Sequence, residues 1–250
     1  MPHGICHLSI TPVYALADDA SEMRTQLLYG EHFTILEKRK LWSRIRVALD
    51  RSEGWVCNKQ YIPLPDEAFQ SIEKGSPALL SSELISFSST RQELLIPVLL
   101  GSSVGQAPLL EHSFEGAATS GKKSKKELIN TALLYLNAPY LRGGRTPFGI
   151  DCSGLSQMVY CIQGFRLLRN AAEQAMQGEA LSFIEESEAG DLAFFDNKEG
   201  VIDHVGIIME NNYIIHAYGK VRIDRLDHTG IFNTELGQYS HQLRVIKKVI

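Results

Sequence analysis

The chain has 250 residues, 44% hydrophobic and 22% charged, with a formal net charge of -4 at pH 7. That balance fits a globular chain with room for one large domain or two smaller ones. It leaves no electrostatic footprint for nucleic acid and no apolar run long enough to span a membrane. Four cysteines without a C-x-x-C pair make neither a disulfide scaffold nor a zinc ribbon.

The N-terminus, MPHGICHLSITPVYALADDA, lacks a basic segment followed by an unbroken apolar stretch. A cytoplasmic protein with free thiols is the expectation. From about residue 7 to 64 the signals are β. Residues 32–37 and 43–49 alternate as strands with one buried face; Ile45, Val47 and Leu49 point inward, Arg44 and Arg46 outward. Gly54-Trp55-Val56 starts another strand, and Pro63 and Pro65 end the region. Short strands with polar turns predict a small barrel over residues 1–65. Residues 66–120 read as a second small β unit and linker, with strands near 85–87 and 94–100. Pro97 confines the latter to an edge or a bulge.

The pattern then changes. Ser124 stands three residues before Glu127, a capping box, and Leu128, Ile129, Ala132, Leu133 and Leu136 follow at helical spacing. Lys122, Lys123, Lys125 and Lys126 beside it read as a solvated linker and helix start. Pro139 closes the helix. A loop with Gly143-Gly144 and Pro147 leads to Asp151-Cys152-Ser153-Gly154, after which Leu155, Met158, Val159 and Ile162 repeat with helical period. Asn170 is placed to cap a further short helix. After Gly190-Asp191 come strands near 192–195, 204–209, 213–218, 221–226 and 243–250. Helices followed by an antiparallel sheet make residues 121–250 an α+β domain.

Cys152 begins a helix with Asp151 as N-cap. Unpaired N–H groups and the positive end of the helix dipole are expected to lower its thiol pKa and to hold an oxyanion. Cys161, later on that helix, reads as a buried structural cysteine. His204 opens one strand and His216 lies in the next. If Met209 pairs with Tyr213, then His216 faces Gly206, His204 faces Tyr218, and both histidines share one face as diagonal neighbours roughly 7–8 Å apart. A turn shorter by one residue would put them on opposite faces. A cysteine at a helix start, a base and an orienting third group make a nucleophilic site. Cys plus two His is also a possible zinc set, but its spacing matches no standard zinc motif.

The segments Pro139-Tyr140-Leu141-Arg142-Gly143-Gly144, Phe148-Gly149-Ile150-Asp151-Cys152-Ser153-Gly154-Leu155, Gly190-Asp191-Leu192-Ala193-Phe194-Phe195, Asp203-His204-Val205-Gly206-Ile207 and Ile215-His216-Ala217 occur in order. Together they resemble the NlpC/P60 cysteine peptidases. The resemblance implies a papain-like α+β catalytic domain with Cys152 as nucleophile, His204 as base and His216 as third residue. It makes Tyr140 a substrate-binding and oxyanion residue, and places Asp151 and Ser153 in the substrate pocket. It implies no metal or organic cofactor. The N-terminal region, with Glu22-Met23 and residues 26–31, resembles the bacterial SH3 domain of dipeptidyl-peptidase VI-like members. Those enzymes cut the γ-D-glutamyl bond to L-lysine or meso-diaminopimelate in murein peptides with a free N-terminal L-alanine. An acidic residue of their SH3 domain helps hold the amine, which makes Glu22 the candidate here. A family aspartate that binds the same amine corresponds to Asn170, which brings no charge; Asn170 as an N-cap alone stands beside that reading.

The expectation is therefore a thiol peptidase of short murein peptides in cell-wall peptide recycling, with either diamino acid after the scissile bond. An acyl or amide transferase on the same core and a non-catalytic murein-peptide binding protein are the alternatives.

Overall fold

The computed structural model describes residues 1–75 and 77–250. The chain divides into two compact units, Met1–Lys122 and Lys123–Ile250. Among the described residues no helix is long and apolar enough to cross a membrane.

In the first unit, seven antiparallel strands form one sheet. Their order is Met23–Leu28, Ile10–Tyr14, Glu53–Cys57, Trp42–Val47, His32–Lys38, His3–Ile5 and Ile62–Leu64. Phe33 pairs with Val47 and Ile35 with Ile45. Their side chains enter a core shared with Val13, Leu27 and Val56, and Leu49 is partly buried at its rim. Arg44 and Arg46 point away, as their alternation predicts, and both meet Glu53.

Residues 66–120 do not stand apart. Val98, Val104, Ala107 and Leu110 share a hydrophobic cluster with Ile5, Tyr29 and Leu64. The short strands Leu95–Leu99, Ile85–Ser89 and Ser113–Glu115 form a three-stranded sheet that has its own core only through this cluster. Leu95–Leu99 is an edge strand, so Pro97 removes no ladder bond. A helix over Asp66–Lys74 also lies here, which the sequence reading left out.

The second unit starts with the capping box: Ser124 and Glu127 cap helix Lys125–Leu133. This helix is shorter than its periodicity predicts. Leu133 and Leu136 are exposed, while Thr131 and Tyr135 take buried positions, and Asn137 leaves the helical region at φ 67°. Helix Cys152–Ile162 forms the centre, and every residue in it except Cys161 is buried. Cys161 is thus only partly covered, not the core cysteine its place in the helix suggested. Polar groups of the buried helix find partners: Ser156 Oγ donates to Gln174 Oε1 at 2.6 Å, and Gln157 Nε2 to the Leu167 carbonyl at 3.1 Å.

The strands close into a barrel. Gln238–Lys248, Leu192–Asp196, Ile202–Met209, Tyr213–Tyr218, Lys220–Leu226 and Gly230–Asn233 pair in succession, and the last pairs back onto the first. Ala193, Phe195, Ile208, Ile214, Leu226, Ile231 and Ile246 form its apolar cluster. The central helix lies against the third and fourth of these strands, Ile202–Met209 and Tyr213–Tyr218. Helices precede the antiparallel strands, so the architecture is α+β, with SH3-like sheets in the first unit.

Candidate active site

The helix start is built around Asp151. Its Oδ1 accepts from the Gly154 N–H at 2.7 Å, which caps the helix beginning at Cys152. The same carboxylate is held by Arg169, Nη1 to Oδ1 at 2.9 Å and Nη2 to Oδ2 at 2.7 Å, and by the Gly143 N–H at 2.7 Å. Arg169 Nη1 also donates to Ser153 Oγ at 3.0 Å. Two parallel N–H bonds make this the strong, planar form of an ion pair. Asp151 therefore arrives at the site with its charge already compensated. Gly154 is required for this approach: a Cβ there would sit 2.4 Å from the Gly144 carbonyl and 2.8 Å from Asp151 Oδ1.

The Cys152 thiol donates to the Asp203 carbonyl at 3.7 Å, one residue before His204. The hairpin carrying the histidines has the expected register, with Met209 opposite Tyr213 and Gly206 opposite His216; the pairing ends at Gly206, so His204 is not laddered to Tyr218. By strand alternation His204 and His216 share a face with Ile208 and Ile214. Gly206 leaves room for the His216 ring, since a Cβ would lie 2.6 Å from Ile214 and 3.0 Å from His216 Cβ. His204 Nε2 and His216 Nδ1 are 2.9 Å apart, and both residues are buried.

The row continues to a residue that sequence reasoning missed. His216 Nε2 lies 3.1 Å from Asp224 Oδ2. Arg222 grips the same carboxylate, Nε to Oδ2 at 2.7 Å and Nη2 to Oδ1 at 3.0 Å. Burial alone would raise the Asp224 pKa, but hydrogen bonds from His216 and Arg222 outweigh it and hold the acid below its usual range. An ionised carboxylate can only accept. Its neighbour His216 Nε2 must then carry a proton, which leaves Nδ1 of neutral His216 as an acceptor. His204 Nε2 must donate to it. The lone pair of neutral His204 is thereby confined to Nδ1, the nitrogen left for a thiol proton. The only sequence signal was Arg222 and Asp224 alternating with Val221 and Ile223 in one strand.

Burial sets the resting charges. It pushes the Cys152 thiol up to about 12, with Asp151 adding to the rise; N–H donors of Val205 and Ser153 and the charge of Arg169 oppose it. The expected lowering by the helix terminus is thus reversed, because a nearly enclosed thiolate loses its hydration. His204 falls well below 6.5, first by burial and then by the neighbouring His241 and His216. The resting pair is a neutral thiol and a neutral imidazole. Tyr140 is 44% exposed; burial of its hydroxyl and the nearby Cys152 and Asp151 raise its pKa, so it remains a donor.

His241 was also missed. Its ring stacks on His204 with centroids 3.9 Å apart and planes at 21°. Side-chain nitrogens of His204, His216 and His241 all lie within 4.8 Å of one another. Imidazole lone pairs lie in their ring planes, and two nearly parallel rings do not converge on one ion at about 2.0–2.1 Å. This trio suits stacking and hydrogen bonding better than zinc. Asn170 is exposed, and its side-chain N–H donates to Glu173 Oε2 at 3.0 Å across the short helix Ala171–Gln174. Glu22 lies in the first unit, exposed, with its carbonyl accepting from the Ala15 N–H.

Residues 137–238 match the NlpC/P60 family, and residues 13–60 match the bacterial dipeptidyl-peptidase Sh3 domain. A gamma-D-glutamyl-L-lysine dipeptidyl-peptidase of Bacillus cereus (strain ATCC 10987 / NRS 248) is 25% identical over 228 residues, covering 80% of this chain and 68% of that protein. One from Bacillus subtilis (strain 168) is 35% identical over 98 residues, 38% of this chain and only 33% of that protein. The crystal structure of an NlpC/P60 family protein from Bacillus cereus ATCC 10987 shares the fold, with a TM-score of 0.79 at 17% identity over 99% of both chains. The chain belongs to the NlpC/P60 peptidase family and carries an N-terminal bacterial dipeptidyl-peptidase SH3 domain.

Proposed function

We propose that this chain is a cysteine peptidase that hydrolyses the γ-D-glutamyl bond to L-lysine or meso-diaminopimelate in short murein peptides with a free N-terminal L-alanine, in their intracellular turnover. The observation that carries the chemistry is the hydrogen-bonded row from His204 through His216 to Asp224, with the Cys152 thiol donating to the carbonyl of Asp203, the residue before His204. The names of the two bacterial relatives support the substrate class.

In this reading Cys152 Sγ attacks the γ-carbonyl as His204 Nδ1 takes the thiol proton. Because burial disfavours both charges at rest, proton transfer accompanies attack and no standing ion pair precedes it. The oxyanion meets backbone N–H groups at the helix start and the Tyr140 hydroxyl; removing one such donor costs on the order of 10²–10³ in kcat. His204 then protonates the leaving amine, the thioester forms, and water releases the dipeptide. Such acid–base assistance supplies about 10²–10⁴-fold. Arg169 and Asp151 hold the helix start and Ser153 in place. Asn170 is the proposed contact to the substrate amine, offering a neutral acceptor where a carboxylate would bind about twice as strongly.

The test is mass spectrometry of the enzyme with L-Ala-γ-D-Glu-L-Lys, its meso-diaminopimelate counterpart and the N-acetylated forms. Release of L-Ala-D-Glu from the free peptides alone supports the reading. Cleavage of acetylated peptides removes the amine requirement, and loss of hydrolysis to transfer products with added amines favours a transferase.

A further inference from the structure

We infer that His241 is a positioning residue for the base: its ring lies flat on His204 and fixes the plane in which His204 Nδ1 meets the thiol. This rests on the peptidase reading above.

The need arises from the row itself. His204 Nε2 is bonded to His216 Nδ1 at 2.9 Å, and its own Nδ1 has to stay open for the thiol proton. One hydrogen bond fixes a point on the ring, and the ring can still turn about it. The His216 ring stands edge-on at 89° and gives no flat support. Phe195, opposite His204 in the neighbouring strand, is tilted at 50° with centroids 5.8 Å apart. His241 lies flat, at 21° and 3.9 Å, so a turn of the His204 ring would drive its edge into the His241 face.

Two irregularities in one strand bring His241 there. Where Leu192–Asp196 pairs with Gln238–Lys248, Phe194 faces Val245 and Phe195 faces Leu243, so Arg244 is an extra residue. Strict alternation from the core residue Ile246 would turn Arg244 and Gln242 inward and His241 outward. The bulge reverses that parity: Leu243 packs against the barrel cluster, and His241, two residues away, shares its face. A second bulge falls at Ser240, between the pairs Ile231–His241 and Phe232–Tyr239. Ser240 Oγ lies 2.8 Å from His241 Nδ1, and the Tyr218 ring meets His241 edge-on at 5.0 Å. The supporting ring is thus itself anchored. Its charge suits the task too. Burial pushes His241 down to about 4, so it sets no second positive charge against the imidazolium that forms on His204.

The experiment compares His241→Phe, which keeps a flat ring and loses the Ser240 contact, with His241→Asn, which keeps a polar group near Ser240 and has no ring. Steady-state kinetics on L-Ala-γ-D-Glu-L-Lys give kcat and KM, and ¹H–¹⁵N NMR follows the His204 Nε2 proton shared with His216. His241→Phe is expected to keep kcat within about threefold of wild type and to keep the shared-proton signal. His241→Asn should lose kcat by about 10- to 100-fold at unchanged KM, since misplacing a reacting group by about 1 Å costs on the order of 10². Its shared-proton signal should broaden or vanish. Retained kcat in His241→Asn, a loss in His241→Phe as large as in His241→Asn, or a loss confined to KM overturns the positioning role and leaves the peptidase reading intact. If the wild type cleaves no peptide, the peptidase reading falls and the NMR signal decides the rest: a shared proton as sharp in His241→Asn as in wild type overturns the positioning role.

Discussion

Replacing Asp224 by asparagine keeps the shape of the side chain and changes one acceptor into a donor. Arg222 donates to both carboxylate oxygens, and His216 donates to Oδ2. The new amide N–H₂ has two places to go. Placed at Oδ1, it faces the Arg222 Nη2 donor across 3.0 Å, an unpaired contact costing about 1–3 kcal/mol. Placed at Oδ2, it faces the Arg222 Nε donor across 2.7 Å at the same cost, and His216 Nε2 across 3.1 Å, a clash that a tautomer change relieves. His216 then moves its proton to Nδ1, His204 Nε2 becomes the acceptor, and the His204 proton moves to Nδ1. That tautomer has no lone pair for the thiol. The expected result is a fall in kcat on the order of 10²–10⁴-fold, the range of a lost general base, with KM little changed. Steady-state kinetics read the split between kcat and KM. ¹⁵N NMR of the imidazoles reads the tautomers directly: wild-type His204 and His216 should both carry hydrogen on Nε2. A variant with kcat within threefold of wild type, or wild-type His216 protonated on Nδ1, would refute the tautomer argument.

Alkylation of Cys152 by iodoacetamide should accelerate steadily from pH 7 to 10, because burial pushes the thiol up to about 12; a rate plateau reached below pH 7 would mean a standing thiolate and contradict this. Arg169→Ala strands the Asp151 carboxylate at a site 3% exposed on the arginine side and should destabilise by about 3–5 kcal/mol in thermal melts; an unchanged Tm would show the pair to be dispensable. The histidines of the row give a pH dependence of stability. Burial lowers His204, His216 and, to about 4, His241. Below about pH 6.5 the unfolded chain binds protons that the folded one refuses, so stability is full above 6.5 and declines toward pH 4. Melts from pH 8 to 5 should show Tm falling on the acid side, and replacing His241 by glutamine should flatten that fall. Asn170→Asp should lower KM for a substrate with a free L-alanine amine and leave its acetylated form unaffected; a KM unchanged or raised would leave Asn170 as a helix cap.

Local patterns were legible in the chain itself. A strand's period of two and the turn after Met209 placed His204 and His216 on one face, and a capping aspartate before Cys152 marked the helix start. These follow from backbone geometry between near neighbours, which residue types report directly. Asp224, His241 and Arg169 were not legible, because each reaches the site through pairings made elsewhere. Asp224 comes from the next strand over, His241 arrives only when Gly230–Asn233 pairs with Gln238–Lys248 to close the barrel, and Arg169 folds back from a loop onto Asp151. The thiol pKa shows the same division. A helix terminus lowers it by a short-range field that sequence reveals, but desolvation depends on everything packed around the sulfur, and only the closed tertiary structure decides that the second effect wins.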